Sequence, residues 1–316
     1  MSPRVACVGI YILDVLGRPI DHLPDVQYTQ VIEEIRITVA GTAGGTSVDL
    51  ARMGADVLAV GAVGGDTSGD FVLALLEREG VRTERIARAR PGVQTATTML
   101  AISSRGIRPG WHASGANHEL GPEHVAGVAA PGLDALHYGG VSALPGLDGA
   151  PVTELLAEAK GRGALTTADC LGIKRPDAMQ LLAPSLPFVD VFMPNRDEAC
   201  LLTGRDDPGE AARELQALGA GWVVVKLDAE GCYAVGPGET FSLPALAGPV
   251  VDTTGCGDAF CAGVIMGLLD GWSMRDAARL GIAAGTLTAA GLGSDAGVKS
   301  LRATIDFMNG AVPAAG

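Results

Sequence analysis

The chain is expected to form an α/β fold, with a mostly parallel central sheet, helices on both faces and a small β-sheet lid. Three observations lead there. Strand-length apolar runs alternate with helix-length segments along most of the chain, the pattern of parallel strands joined by helices. Val26 to Val39 instead carries β-branched residues and charges in turn, as strands with one wet face do, and with Gln94 to Ile102, a second strand-like piece rich in threonine, reads as a separate inserted sheet. Near the C-terminus, VVDTTGCGDAFCAGVIMGLLDG (Val250 to Gly271) runs from a glycine loop into an apolar segment too long for a strand. With 316 residues, 47% of them hydrophobic, the chain has enough apolar material for a large core, as one big α/β domain or a core with an appendage.

Taken in order, Arg4 to Ile10 reads as the first buried strand, with Asp14 four residues beyond it. A carboxylate just past the end of a first strand is where open α/β sheets bind ligands, and a solvated loop aspartate is the plain alternative. Val26 to Val39 and Gln94 to Ile102, with Gly106 to Trp111 behind, would form the lid, a device that excludes water from a site. Between them Gly41, Gly44 and Gly45 open a helix through Met53, ADVLAVGAVG is a strand, and Asp66 to Gly69 starts a second helix ending at Glu79 and Gly80. Tight packing explains some of the first three glycines but not three within five residues.

Residues 111–125, WHASGANHELGPEHV, lead back to the core; Asn117 reads as a turn residue tolerant of left-handed backbone, and Trp111 and His112 are candidates to reach a ligand. Leu133 to Phe192 alternates strand and helix again. Asn195 and Glu198 then stand three apart on one face of a helix start, a spacing that also suits plain capping. Gly221 to Ala234 is a buried strand and turn whose Lys226 meets a phosphate as a point charge or pairs with a nearby carboxylate. Leu280 to Gly293 is a helix of small residues.

The chemistry concentrates at Asp252 to Asp258. Two of the three residues Gly255, Cys256 and Gly257 lack a side chain, so backbone can approach a ligand closely. A helix beginning near Gly257 would point the amides of Gly255 to Asp258 outward at its positive end, which suits phosphate oxygens. An acidic residue there fits if its carboxylate lies beside the anion and accepts a proton from the attacking group, the arrangement of phosphoryl transfer to a hydroxyl. The alternative is that Asp258 merely caps the helix.

A formal net charge of −13 opposes nucleic acid or an anionic membrane surface as partners. The six cysteines form no C-x-x-C pair and the five histidines no H-E-x-x-H, so structural zinc is not expected and free thiols in a reducing cytoplasm fit best. The N-terminus lacks the pattern of a signal peptide, and no apolar run is long enough to span a bilayer. G-x-x-x-x-G-K-[ST], the dinucleotide fingerprint and G-x-S-x-G are all missing.

DTTGCGDAFCAG resembles the second signature of the ribokinase-like, or PfkB-type, carbohydrate kinases, and the resemblance continues in order over nearly the whole chain. Gly61 to Gly69 resembles part of the first signature, Met193 to Gly204 the N-x-x-E motif, and Gly221 to Ala234 the nucleotide loop. The resemblance implies an ATP- and magnesium-dependent kinase of a sugar or sugar-like molecule. Its core would be residues 1–12, 41–91 and 113–316, its lid 13–40 and 92–112, with a homodimer through the lid covering the sheet edges. By resemblance Asp258 is the catalytic base, and Gly255, Cys256 and Gly257 form the anion hole. Asp14, Gly41, Gly44, Gly45 and Asn117 hold the substrate. Asn195, Lys226, Asp228, Gly231 and Thr253 meet the nucleotide, with Asn195 and Glu198 holding magnesium through water. Asp252 and Ser294 are offered for a monovalent cation, potassium in some members. Two departures stand out: Gly45 replaces a sugar-binding Asn, and Asp228 replaces a Gly. A nucleoside or phosphosugar kinase, or an idle sugar-binding regulator of the same fold, are the alternatives.

Overall fold

The first strand is apolar at nearly every position because both its faces are covered. Val5 and Cys7 pack into one core, while Ala6 and Val8 pack into another across the sheet. The computed structural model describes residues 2–24, 27–173 and 175–314. Its strands and helices are β1 (Arg4–Gly9), β2 (Ile12–Arg18), β3 (Glu34–Ala40), α1 (Gly44–Arg52), β4 (Asp56–Val63), α2 (Thr67–Arg78), β5 (Arg82–Arg88), β6 (Thr97–Ala101), β7 (Gly110–Ala113), α3 (Pro122–Val125), β8 (Ala135–Val141), α4 (Ala150–Gly161), β9 (Leu165–Cys170), α5 (Ala178–Leu182), β10 (Val191–Phe192), α6 (Arg196–Thr203), α7 (Pro208–Ala217), β11 (Trp222–Lys226), β12 (Cys232–Gly236), β13 (Glu239–Leu243), α8 (Cys256–Leu269), α9 (Met274–Ala289) and α10 (Leu301–Gly310).

Nine strands form the central sheet in the order β13-β12-β11-β10-β9-β8-β1-β4-β5. Pairing is parallel from β11 through to β5 and antiparallel only at β11–β12 and β12–β13. Helices α1, α2 and α8 bury Val48, Leu50, Leu76 and Ile265 on one face, and α4, α6 and α7 bury Leu156, Leu202 and Leu215 on the other. Parallel strands end on one side of such a sheet, so the loops that follow β1, β8 and β9 collect there.

A separate four-stranded sheet has the order β3-β2-β6-β7. Two sequence expectations change. Val26 lies outside the described residues, and Tyr28 to Glu33 are not strand, because the seven residues of β2 pair completely with Glu34–Ala40 and leave nothing for the preceding residues to bond. Asp14 is not in a loop beyond the first strand but in the middle of β2. The chain re-enters extended structure two residues after β1, and the short apolar segment Ile10–Leu13 conceals the break.

Candidate active site

Strand register brings four polar side chains into one row across the small sheet. Thr38 on β3 and Thr98 on β6 both pair with Asp14 on β2, and His112 on β7 pairs with Thr98. Thr98 Oγ1 lies 3.0 Å from His112 Nδ1, and Thr38 Oγ1 lies 3.4 Å from Ser294 Oγ. Asp14 is 4% exposed, and its Oδ1 has no hydrogen-bond partner. Burial raises its pKa to about 6; the Thr98 hydrogen bond works against that rise and the Asp252 charge adds to it. A buried carboxylate oxygen without a partner is costly unless a ligand supplies the donor.

The glycine loop faces this row. Gly255 takes a left-handed conformation (φ 79°) at the N-cap of α8, and Cys256 is the first helical residue. A Cβ at Gly255 would fall 2.4 Å from Ser294 Cα, so glycine is required there for space as well as for φ. Asp258 lies in the first turn, and no side chain caps this helix, so the capping alternative is not realised. The loop is held from behind by Asp252, whose Oδ1 accepts from the Thr254 amide (3.0 Å) and hydroxyl (2.8 Å) and whose Oδ2 accepts from the Gly293 amide (2.9 Å). Ser294 donates its hydroxyl to the Val39 carbonyl. The pair offered for a monovalent cation is thus brought together but already engaged. Thr253 is exposed at the rim. From the small sheet's side, Arg108 Nη1 reaches to 3.5 Å of Thr254 Oγ1.

Gly45, the unexpected residue of α1, explains itself by what packs on it. A Cβ at Gly45 would meet Asp258 Oδ2 at 2.4 Å and Asp258 Cβ at 2.9 Å. The carboxylate fills the space that a side chain on α1 would need. Thr46 Oγ1 donates to the Asp258 carbonyl (3.3 Å), further tying α1 to the start of α8. Burial raises the Asp258 pKa to about 8, with the Asp169 and Asp14 charges adding to the rise and Lys226 and Arg108 opposing it.

Lys226 takes the second of its two expected roles. Its Nζ donates to both carboxylate oxygens of Asp169 (2.8 and 2.7 Å), a buried ion pair at the ends of β9 and β11. A Cβ at Gly257 would lie 3.3 Å from that ammonium, so the pair sits directly beneath the glycine loop. Cys261 on α8 donates to Asp169 Oδ2 at 3.4 Å. Asp169 and Cys261 were not singled out in the sequence. The signal was present for Asp169, a lone acid closing the buried run LTTADC, the same kind of placement that drew attention to Asp14.

Asn195 and Glu198 form a complete capping box at α6. Asn195 Oδ1 accepts from the Glu198 amide (2.9 Å), and Glu198 Oε2 accepts from the Asn195 amide (2.8 Å). Glu198 Oε1 also accepts from the Gly172 amide (2.7 Å), so this buried carboxylate pins the loop after β9. An isolated bridge joins Asn195 to Lys226. Asp228 adopts a left-handed conformation (φ 51°), so the loop keeps the path a glycine would give it. Gly231 (φ 90°) closes that turn against the Leu243 carbonyl, 2.0 Å from where a Cβ would sit.

Asn117 is not a left-handed turn residue. It lies in a 3-10 turn over Gly115–Glu119, and Gly115 carries the positive φ instead. Its side chain accepts from the Tyr11 amide (3.2 Å) and donates to the Tyr11 carbonyl (3.0 Å), latching the β1–β2 junction. Gly41 (φ 90°) and Gly44 pack against Ile10 at that junction, and the Gly44 amide donates to the Ile10 carbonyl (3.1 Å).

Asp258, in the first turn of the helix after the glycine loop, and the buried Asp14 of the small sheet lie near enough for the charge of Asp14 to bear on Asp258. Residues 2–300 match the family model described as pfkB family carbohydrate kinase. The chain belongs to that family and is an ATP-dependent sugar kinase. It is 29% identical over 232 residues to an uncharacterized sugar kinase of Archaeoglobus fulgidus, covering 73% of this chain and 90% of the relative. It is 28% identical over 284 residues to the 2-dehydro-3-deoxygluconokinase of Bacillus subtilis, covering 86% of each. Arabidopsis thaliana ribokinase, solved with ribose and ATP, superposes with a TM-score of 0.80 at 21% identity, over 98% of this chain and 99% of that one.

Proposed function

We propose that the chain transfers the γ-phosphoryl group of ATP to a hydroxyl of a sugar or sugar-like acceptor, with Asp258 as the general base. The observation that carries this reading is the Asp258 carboxylate itself: it caps nothing, leans on Gly45, adjoins the loop amides and has a pKa raised to about 8. A base with proton affinity near ambient pH can take a hydroxyl proton as the bond to phosphorus forms. The amides of Gly255, Cys256 and Gly257 stabilise the charge of the group in transit. Asp14 supplies an acceptor for a sugar hydroxyl, which would satisfy its unpaired Oδ1.

Magnesium fits as an ion held through its waters. Glu198, boxed with Asn195, is the buried carboxylate that would face those waters, since Asp169 is already paired with Lys226. When bound, it would neutralise nucleotide phosphates. Asp252 and Ser294 lie together behind the loop, hydrogen-bonded within the protein, and a monovalent cation there is not required by this reading. Asn195, Asp228, Gly231 and Thr253 border the nucleotide, and Lys226 acts from beneath the loop. The four-stranded sheet serves as the lid. No described helix is long and apolar enough to cross a membrane. All six cysteines are free, in keeping with a cytoplasmic enzyme.

The outer face of the lid supports a homodimer. Ile37, Val15, Met99 and Trp111 form a second register row beside the polar one, and three of them are exposed, by 44%, 56% and 53% for Ile37, Met99 and Trp111. Alternation places this apolar row opposite Asp14, where a second copy would cover it. Sedimentation should show a dimer that Trp111→Glu dissociates.

ADP release from ATP and magnesium across pentoses, hexoses, sugar acids, phosphosugars and nucleosides tests the main reading. Asp258→Asn should lower turnover by roughly 10²- to 10⁴-fold. Near-normal turnover in a folded Asp258→Asn enzyme removes Asp258 from the role.

A further inference from the structure

The acid that follows Ser294 is gripped from two sides. Asp295 Oδ1 accepts from Arg36 Nη2 (2.9 Å) on β3, and Asp295 Oδ2 lies 3.9 Å from Arg52 Nη2 on α1. Arg52 also donates through Nη1 to the carbonyls of Asp295 (2.5 Å) and Val298 (3.1 Å), while its Nε donates to Glu79 Oε2 (2.7 Å). One residue thus ties the small sheet to the core, because β3 belongs to the first and α1 packs in the second.

Short links run from this acid to the glycine loop. Its neighbour Ser294 donates to the Val39 carbonyl and stands against Gly255. The Gly293 amide donates to Asp252, whose other oxygen holds Thr254. The segment has no slack on either side: a Cβ at Gly293 would meet Thr38 Cγ2 at 2.9 Å, and one at Gly297 would meet the Leu287 carbonyl carbon at 2.2 Å. Close-packed elements pass a displacement on rather than absorb it. Alternation puts Arg36 and Thr38 on one face of β3, so the small sheet meets Ser294 and Asp295 through both. A shift of that sheet therefore reaches Ser294, and through Ser294 the loop at Gly255.

We propose that Asp295 is a positioning residue for phosphoryl transfer: held by Arg36 and Arg52 together, it keeps Ser294 against Gly255 and so aligns the loop amides when the small sheet is docked on the core. The inference rests on the kinase reading above. It makes the glycine loop answer to the sheet that carries Asp14, so that one contact sets both sides of the site. The Arg36–Asp295 pair is partly open to solvent, with side chains 35% and 11% exposed, and such pairs contribute little to stability. Its loss should therefore appear in turnover and not in melting.

The test sets the whole enzyme beside Arg36→Met, Asp295→Asn and the double variant. Each is read by ADP release across the acceptor panel above, by thermal melting and by amide hydrogen exchange. Each single variant is expected to lose roughly 10- to 10²-fold in kcat, the scale for a small misplacement of reacting groups, with KM for acceptor and ATP within about twofold. Tm should stay within about 2 °C. Exchange should rise in residues 252–257 and 293–298 and not elsewhere. The double variant should lose no more than the worse single one, and Arg36→Lys should recover most of the loss. Wild-type kcat in Arg36→Met overturns the inference while the kinase reading stands. A fall of Tm with loss of protection across the chain also overturns it, since the pair would then serve the fold alone. If the wild type turns nothing over, the kinase reading falls and exchange decides: a rise confined to those two segments upholds the coupling, and an unchanged or general pattern overturns it.

Discussion

Replacing Gly45 with Ala puts the close packing of α1 on Asp258 under test. The added Cβ would sit 2.4 Å from Asp258 Oδ2 and 2.9 Å from Asp258 Cβ, closer than such atoms approach. The oxygen can swing away by rotation, but the Asp258 Cβ is fixed to α8, so the carboxylate must turn and the α1–α8 spacing must open slightly. Displacing a reacting group by about 1 Å costs on the order of 10²-fold in rate. Overpacking costs about 1–3 kcal/mol, offset in part by the roughly 1 kcal/mol that alanine gains over glycine inside a helix. The expected Gly45→Ala enzyme is folded, melts a few degrees lower, and loses on the order of 10²-fold in kcat with KM for ATP within about twofold. Gly161→Ala is the control, since nothing lies within 4 Å of its added Cβ. Steady-state kinetics and a thermal melt on both variants decide the matter. Wild-type kcat in Gly45→Ala would refute the claim that Gly45 exists to seat the Asp258 carboxylate.

Further outcomes follow from the same geometry. With Asp258 as the proposed base, active only when deprotonated, and its pKa raised to about 8, kcat/KM should climb with pH from 6 to 9 through a midpoint near 8; a flat profile with chemistry rate-limiting would contradict the proposal. The same shift bears on stability. The folded state holds the Asp258 proton up to about pH 8 whereas the unfolded chain releases it near 4, so this group's contribution falls as pH rises between those values. Asp258→Asn should therefore flatten the fall of Tm between pH 5 and 8. Asp169→Asn leaves Lys226 buried without its counter-charge and should cost about 3–5 kcal/mol by denaturant unfolding, with Lys226→Met added on top restoring part of the loss; additive losses would mean that the pair is not coupled. Asp228→Gly should raise Tm by roughly 1–3 °C, since the left-handed backbone of that residue is relieved.

The sequence by itself determined the sheet-and-helix alternation, the presence of a second sheet and the importance of Val250 to Gly271. Those features are written in local pattern: continuous apolar strands, glycines at loop ends, and an acid immediately after a glycine loop. Part of the site was legible for the same reason, because Asp258, Gly255 to Gly257 and the Asn195–Glu198 box are each defined within a few residues of chain.

What only the tertiary structure decided are the pairings between residues far apart. The register of β2 with β3 and β6 moved Asp14 from a loop to the middle of a polar row, and no local pattern sets that register. Lys226 found Asp169, 57 residues away, because β9 and β11 flank the two-residue β10 and end together. That Gly45 leaves room for the Asp258 side chain, 213 residues away, was likewise invisible before α1 and α8 were packed together. Asn117 had the composition of a turn residue, yet its side chain latches Tyr11, 106 residues away. Secondary structure follows from neighbours along the chain. A catalytic site is built from side chains that only the packing of separate elements brings within a few ångströms.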